Sequence, residues 1–114
     1  MSYEKKPGGF ARFFRSLLGI GGGSEVENAV RSAFDVHTVL EVRYKNGQGT
    51  QSDRFFKIYG IGYRYIDAYD TKRGAVRTFK LDRIIWVRRT DDKYSVPDEY
   101  ISSDWVATGT GVVV

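Results

Sequence analysis

The chain has 114 residues and a net charge of +4, from 18 basic and 14 acidic side chains, a length that fits one domain with flexible ends. It contains no cysteine, which excludes disulfides and thiolate metal sites and makes a reducing, cytoplasmic setting the expectation. No apolar run is long enough to span a bilayer, and the amino terminus lacks the order of a secretory signal.

The charge is unevenly distributed. Residues 41–89 hold twelve basic and five acidic side chains, whereas residues 90–114 hold one and five. A basic middle segment favours a polyanionic partner, although scattered cations also keep a small β-domain soluble. Eight tyrosines and seven phenylalanines favour strands over helices. The expected organisation is a leader over residues 1–23, a folded core over 24–90 and an acidic tail over 91–114, partly packed or disordered.

Within the leader, Phe10, Phe13, Phe14, Leu17 and Leu18 follow the i, i+3, i+4, i+7, i+8 spacing of one helical stripe. So short a helix is unstable alone, so its face docks on the rest of the chain, a partner chain or a membrane surface, the membrane being the least favoured. Gly19 to Gly23 reads as a flexible tether. Ser24-Glu25-Val26-Glu27 has the form of a capping box with Ser24 as N-cap. Val26, Ala29, Val30, Ala33 and Phe34 give the apolar stripe of a helix ending near Asp35.

Val36 to Tyr44 alternates as a strand, with Thr38, Leu40, Val42 and Tyr44 on one side. A turn built on Asn46-Gly47 leads to a second strand, Arg54 to Ile61. Tyr63–Tyr69 and Ala75–Leu81 form a hairpin across Asp70 to Gly74, with Gly74 able to take positive φ. Arg83 to Arg89 is the fifth strand, and Asp91-Asp92-Lys93 reads as a turn. Tyr100, Ile101, Trp105 and Val106 either pack back on the core or form a short helix. One helix and five short strands predict a mainly β protein, a small closed barrel.

Little here suits catalysis. The lone His37, without cysteine or a second histidine, rules out an ordinary N/S metal site, and no cofactor is expected. No serine has a nucleophile-elbow context, and the glycine run lacks a Walker lysine. Asp67 and Asp70 fall on opposite strand faces, which suits arginine partners better than a catalytic pair. What remains is a basic and aromatic set: Arg54, Arg64, Tyr65, Tyr69, Arg77, Lys80 and Arg83. Arginine recognises phosphate through a planar fork and tyrosine offers a stacking face, so the set suits single-stranded nucleic acid or a nucleotide-like ligand. Three of them have a plainer alternative: Arg77 pairing with Asp67, Arg83 pairing with Asp82, and Tyr65 in the core.

Arg77-Thr78-Phe79-Lys80-Leu81-Asp82-Arg83-Ile84 resembles the R-x-F-x-L-D-R-I signature of the WYL domain. Tyr65-Ile66-Asp67-Ala68-Tyr69-Asp70 resembles its Y-L-x-A-Y-D/C strand, and Arg54 with Tyr59-Gly60-Ile61 its R-x-x-x-P-Y-G-I segment. The likeness covers roughly Val26 to Val87. Arg64 replaces the namesake tryptophan and Ile58 the usual proline. The resemblance implies a five-stranded Sm-like, SH3-type barrel preceded by an α-helix, a fold common in ligand-sensing parts of bacterial transcription regulators. It also implies ligands of nucleic-acid or nucleotide type, with Tyr65, Arg77 and Arg83 at matching positions and Arg54 less directly so. The expected function is a non-catalytic sensing module; the alternative is an assembly module acting through Phe10 to Leu18 without a nucleic-acid ligand.

Overall fold

The computed structural model describes residues 20–21 and 23–110. The predicted stripe Phe10 to Leu18 lies outside them.

The first helix, α1 (Gly23–Asp35), buries Val26, Val30 and Ala33, with Ala29 and Phe34 partly buried beside them. This is the predicted stripe, and each fully buried valine contributes about 1.5–3 kcal/mol. The helix starts at Gly23, one residue before the expected cap, with φ +44° there. Glu27 reaches forward to Arg31 (2.9 Å) rather than back to Ser24, so the i, i+4 ion pair replaces the capping box.

Six strands follow one another in an antiparallel sheet: β1 (Ile20–Gly21), β2 (Thr38–Lys45), β3 (Gln51–Ile61), β4 (Tyr65–Asp70), β5 (Ala75–Lys80) and β6 (Ile84–Lys93). Their order is β1-β6-β2-β3-β4-β5. The fold is mainly β, as expected, but the sheet is not closed. The two-residue β1 pairs with β6 (Ile20 with Val87, Gly21 with Trp86), leaving β5 as an edge. Ile20 and Gly21 are thus paired backbone, in a stretch that composition alone reads as a tether.

The sheet curls instead of closing. Tyr44 on β2 meets Phe79 on β5 edge-on (5.1 Å), although β3 and β4 lie between them, and its hydroxyl accepts a hydrogen bond from the Lys80 N–H (3.1 Å). Inside the curl lie Leu40, Val42, Phe56, Ile58, Ile66, Ala68 and Val87, all essentially inaccessible. They come from alternate positions of β2, β3 and β4, joined by Val87 of β6 opposite Val42, which is the period-two pattern of a half-buried strand.

Several boundaries move. Val36 and His37 form a turn, not a strand start; His37 has φ +53°, and its ring lies between Phe34 (5.7 Å) and Tyr94 (5.2 Å). In the β2–β3 loop the left-handed residue is Gly49, and the Asn46 side chain accepts from the N–H groups of Gln48 and Thr50. Asp91 to Lys93 continue β6, where Lys93 pairs with Thr38. Gly74 takes φ +68° as predicted. A register shift between Ile58 and Gly60 leaves Tyr59 as an extra residue of β3, re-aiming its ring. Beyond Tyr94 a strap runs back over the sheet and ends in a short helix, α2 (Asp104–Thr108). No helix among the described residues is long and apolar enough to cross a membrane.

Candidate ligand-binding face

The pleat divides β3, β4 and β5 into an inner and an outer row. Outward from β4 point Tyr65, Asp67 and Tyr69, and in register beside them on β5 stand Lys80, Thr78 and Val76. Lys57 of β3 pairs with Tyr69, and its ammonium lies 5.5 Å from the Tyr69 ring centre. The bulged Tyr59 stacks on Tyr69 at 6.3 Å with 27° between the planes. One face therefore carries Tyr59, Tyr65, Tyr69, Lys57 and Lys80.

Of the seven sequence-derived residues, this face takes three, Tyr65, Tyr69 and Lys80. Arg77 lies on exposed edge strand β5 and lines a groove of about 510 Å³ with Tyr59, Tyr69 and Val76. Arg64, exposed in the bend before β4, shares a cleft of about 410 Å³ with Lys80, Glu27 and Asp82. Glu27 is already paired with Arg31, so that cleft retains net positive charge. No described carboxylate pairs with Arg64, Arg77 or Lys80, and neither the Arg77–Asp67 nor the Arg83–Asp82 pair is formed. Arg83 lies elsewhere, its guanidinium against Gly47 of the β2–β3 loop.

Arg54 belongs to the inner row. It forms an ion pair with Asp70, whose side chain is wholly inaccessible, donates to Ser52 Oγ (3.0 Å) and lies over the Phe79 ring. Asp70 also accepts from the Lys72 N–H (3.0 Å), so the pair locks β3 to the start of the hairpin turn. Nε and Nη1 of Arg54 are thus already engaged within the chain.

Lys57 and Tyr59 are the members that composition-led reading overlooks. A signal existed: they sit two apart on β3, the spacing that places side chains on one strand face.

Asp67 is the buried carboxylate of the outer row, 2% exposed. Its Oδ1 accepts from Thr78 Oγ1 and Ser103 Oγ (both 2.7 Å), and its Oδ2 from Tyr100 Oη (2.5 Å) and the Ser103 N–H (2.8 Å). Burial pushes its pKa up, but the four donors together outweigh burial and hold it below the ordinary value. Burial first, then the bond to Asp67, pushes the Tyr100 phenol up to about 12. Tyr94, whose hydroxyl donates to the Ile58 carbonyl (2.5 Å), is also raised to about 12, chiefly by burial. Among the described residues no cluster of three or more His, Cys, Asp or Glu side chains is placed to hold a metal ion.

Proteasome accessory factor B/C (PafBC) of Arthrobacter aurescens has a similar fold, with a TM-score of 0.64 and 21% identity over 74% of this chain. The matched part is 14% of that protein's length. Among curated proteins none is similar to this chain. Residues 25–89 match the family model of the WYL domain. That match spans more than half of the sequence and includes every strand from β2 to β5, and by it the chain belongs to the WYL domain family.

Proposed function

We propose that this chain is a non-catalytic, ligand-sensing regulatory module that takes single-stranded nucleic acid or a nucleotide-like effector on the outer face of β3, β4 and β5. One observation carries the reading: three tyrosine rings share that face with Lys57 and Lys80, and no described carboxylate neutralises either lysine. Stacked rings accept any base, and unpaired cations beside them accept the phosphates. Arg64 extends the cationic rim beside Lys80, and Arg77, in register with inner-row Ala68, adds a cation to the groove at the free edge of β5. Arg54 and Arg83 take no part, since one is held by Asp70 and the other lies against the β2–β3 loop.

The test is fluorescence anisotropy with a short labelled oligo-dT at low and moderate salt. Binding should weaken with salt at a slope of about −0.7 per phosphate contacted. Tyr69→Ala should weaken it roughly 5- to 150-fold, the worth of one stacked base. Lys80→Gln should flatten the salt slope. No binding at low salt, or equal binding by Tyr69→Ala, overturns the reading.

A further inference from the structure

The outer face is not open along its whole length. The strap from Tyr94 to Thr108 crosses it and places an aromatic side chain on two of the three tyrosines. Tyr100 meets Tyr59 edge-on at 5.6 Å, and Trp105 lies on Tyr65 at 4.9 Å. From Tyr94 to Thr110 the chain carries Asp98, Glu99 and Asp104 and no lysine or arginine. Aromatic rings set against tyrosines, spaced by carboxylates, carry the same kinds of group as a short single strand with its bases and phosphates, although the two rings meet the tyrosines edge-on and tilted. The sheet is shaped for this occupant. A side chain at Gly60 would overlap the Tyr100 hydroxyl, and one at Gly62 would overlap the Val106 carbonyl.

The strap's attachment is narrow. No residue of α2 is buried, Ile101 is 85% exposed, and Trp105 is 42% exposed. Between Pro97 and Thr108 its hydrogen bonds to the sheet converge on one carboxylate, Asp67. A segment with few buried apolar contacts opens at low cost relative to global unfolding. Tyr69, the third tyrosine, has no strap ring on it and lines the open groove alongside Arg77.

We infer that the strap is an intramolecular competitor for the ligand of the outer face, held shut by Asp67 and displaced when ligand entering at Tyr69 and Arg77 spreads onto Tyr65 and Tyr59. This inference rests on the function proposed above and adds its regulation: release of the strap is the change that ligand binding produces. The displaced Tyr100 and Trp105 then present an acidic, aromatic segment to whatever reads the signal.

The experiment uses the full chain, with Trp105→Ala and Gly62→Ala as strap variants. Trp105→Ala removes an exposed ring and uncovers Tyr65; Gly62→Ala pushes α2 away with one methyl group. Each is checked for a native circular dichroism spectrum and then titrated with the labelled oligo-dT. We expect roughly three- to tenfold tighter binding by Trp105→Ala, as loss of one aromatic pair implies, and tighter binding by Gly62→Ala as well. In the parent, oligo-dT should speed hydrogen exchange across residues 97–108. If the parent binds and neither variant binds more tightly, or exchange in 97–108 is unchanged, the competitor role is overturned while the binding face stands. If the parent does not bind the oligo-dT at low salt, the binding face itself is wrong and the inference falls with it.

Discussion

Arg54→Met separates a structural arginine from a ligand-binding one. In the folded chain the Arg54 side chain is 12% exposed and that of Asp70 is 0% exposed. Methionine preserves most of the side-chain length and the contact with Phe79, so the principal loss is the charge. Asp70 then keeps the Lys72 N–H as a donor but has no counter-charge. Removing one partner of a buried pair costs about 3–5 kcal/mol. For a domain of this size each 1 kcal/mol lowers the melting temperature by about 4–8 °C, so a fall of at least 12 °C or so is expected. The double variant Arg54→Met/Asp70→Leu should recover most of it, because the uncompensated carboxylate is gone. Urea unfolding followed by circular dichroism measures all three proteins. If Arg54→Met lies within 1 kcal/mol or so of the parent, below the range for a broken buried pair, the pair is not what locks β3 to the hairpin and Arg54 returns to the candidate ligand set.

Tyr44→Phe tests the curl of the sheet. It keeps the ring on Phe79 but leaves the Lys80 N–H without the hydroxyl that accepts from it, so a loss of about 1–2 kcal/mol in urea unfolding is expected; no loss would mean that packing alone brings β5 to β2. The strap should have a defined pH window. Asp67 is held low in the folded state, so its stabilisation is present above the unfolded value of about 4 and is lost as pH falls through the folded value. Tyr94 and Tyr100 are raised from 10 to about 12, so their contribution is complete below pH 10 and is lost as pH rises towards 12. Burial also raises the Tyr59 phenol, so absorbance at the tyrosinate band should show three late-titrating phenols, with one of the two near 12 missing in Tyr100→Phe. A variant that loses an ordinary phenol instead would refute the assignment.

The sequence by itself determined whatever depends on near neighbours in the chain. The helical spacing of Val26, Val30 and Ala33, the alternation of Leu40, Val42 and Tyr44, and the positive φ of Gly74 all follow from local backbone geometry. The eight-residue run ending in Ile84 resembled the WYL signature because that family repeats a local pattern of apolar and charged positions. Three of the five residues of the proposed face, Tyr65, Tyr69 and Lys80, were legible in the sequence, Tyr65 and Tyr69 by period two; Lys57 and Tyr59 carry the same spacing but escape a composition-led reading.

What only the tertiary structure decided are the contacts between segments far apart in the chain. Arg54 and Asp70 are sixteen residues apart, and their pairing depends on β3 lying beside β4 in one register. The two-residue β1 has no periodicity of its own and exists because β6 offers it an edge. Tyr59 leaves the regular row through a bulge that no propensity marks. The strap is held by a carboxylate thirty-three residues before Tyr100, and it lies close on the sheet because Gly60 leaves room for Tyr100 and Gly62 for Val106. Those choices rest on cross-strand register and on the mutual satisfaction of buried polar groups, which no window of sequence contains.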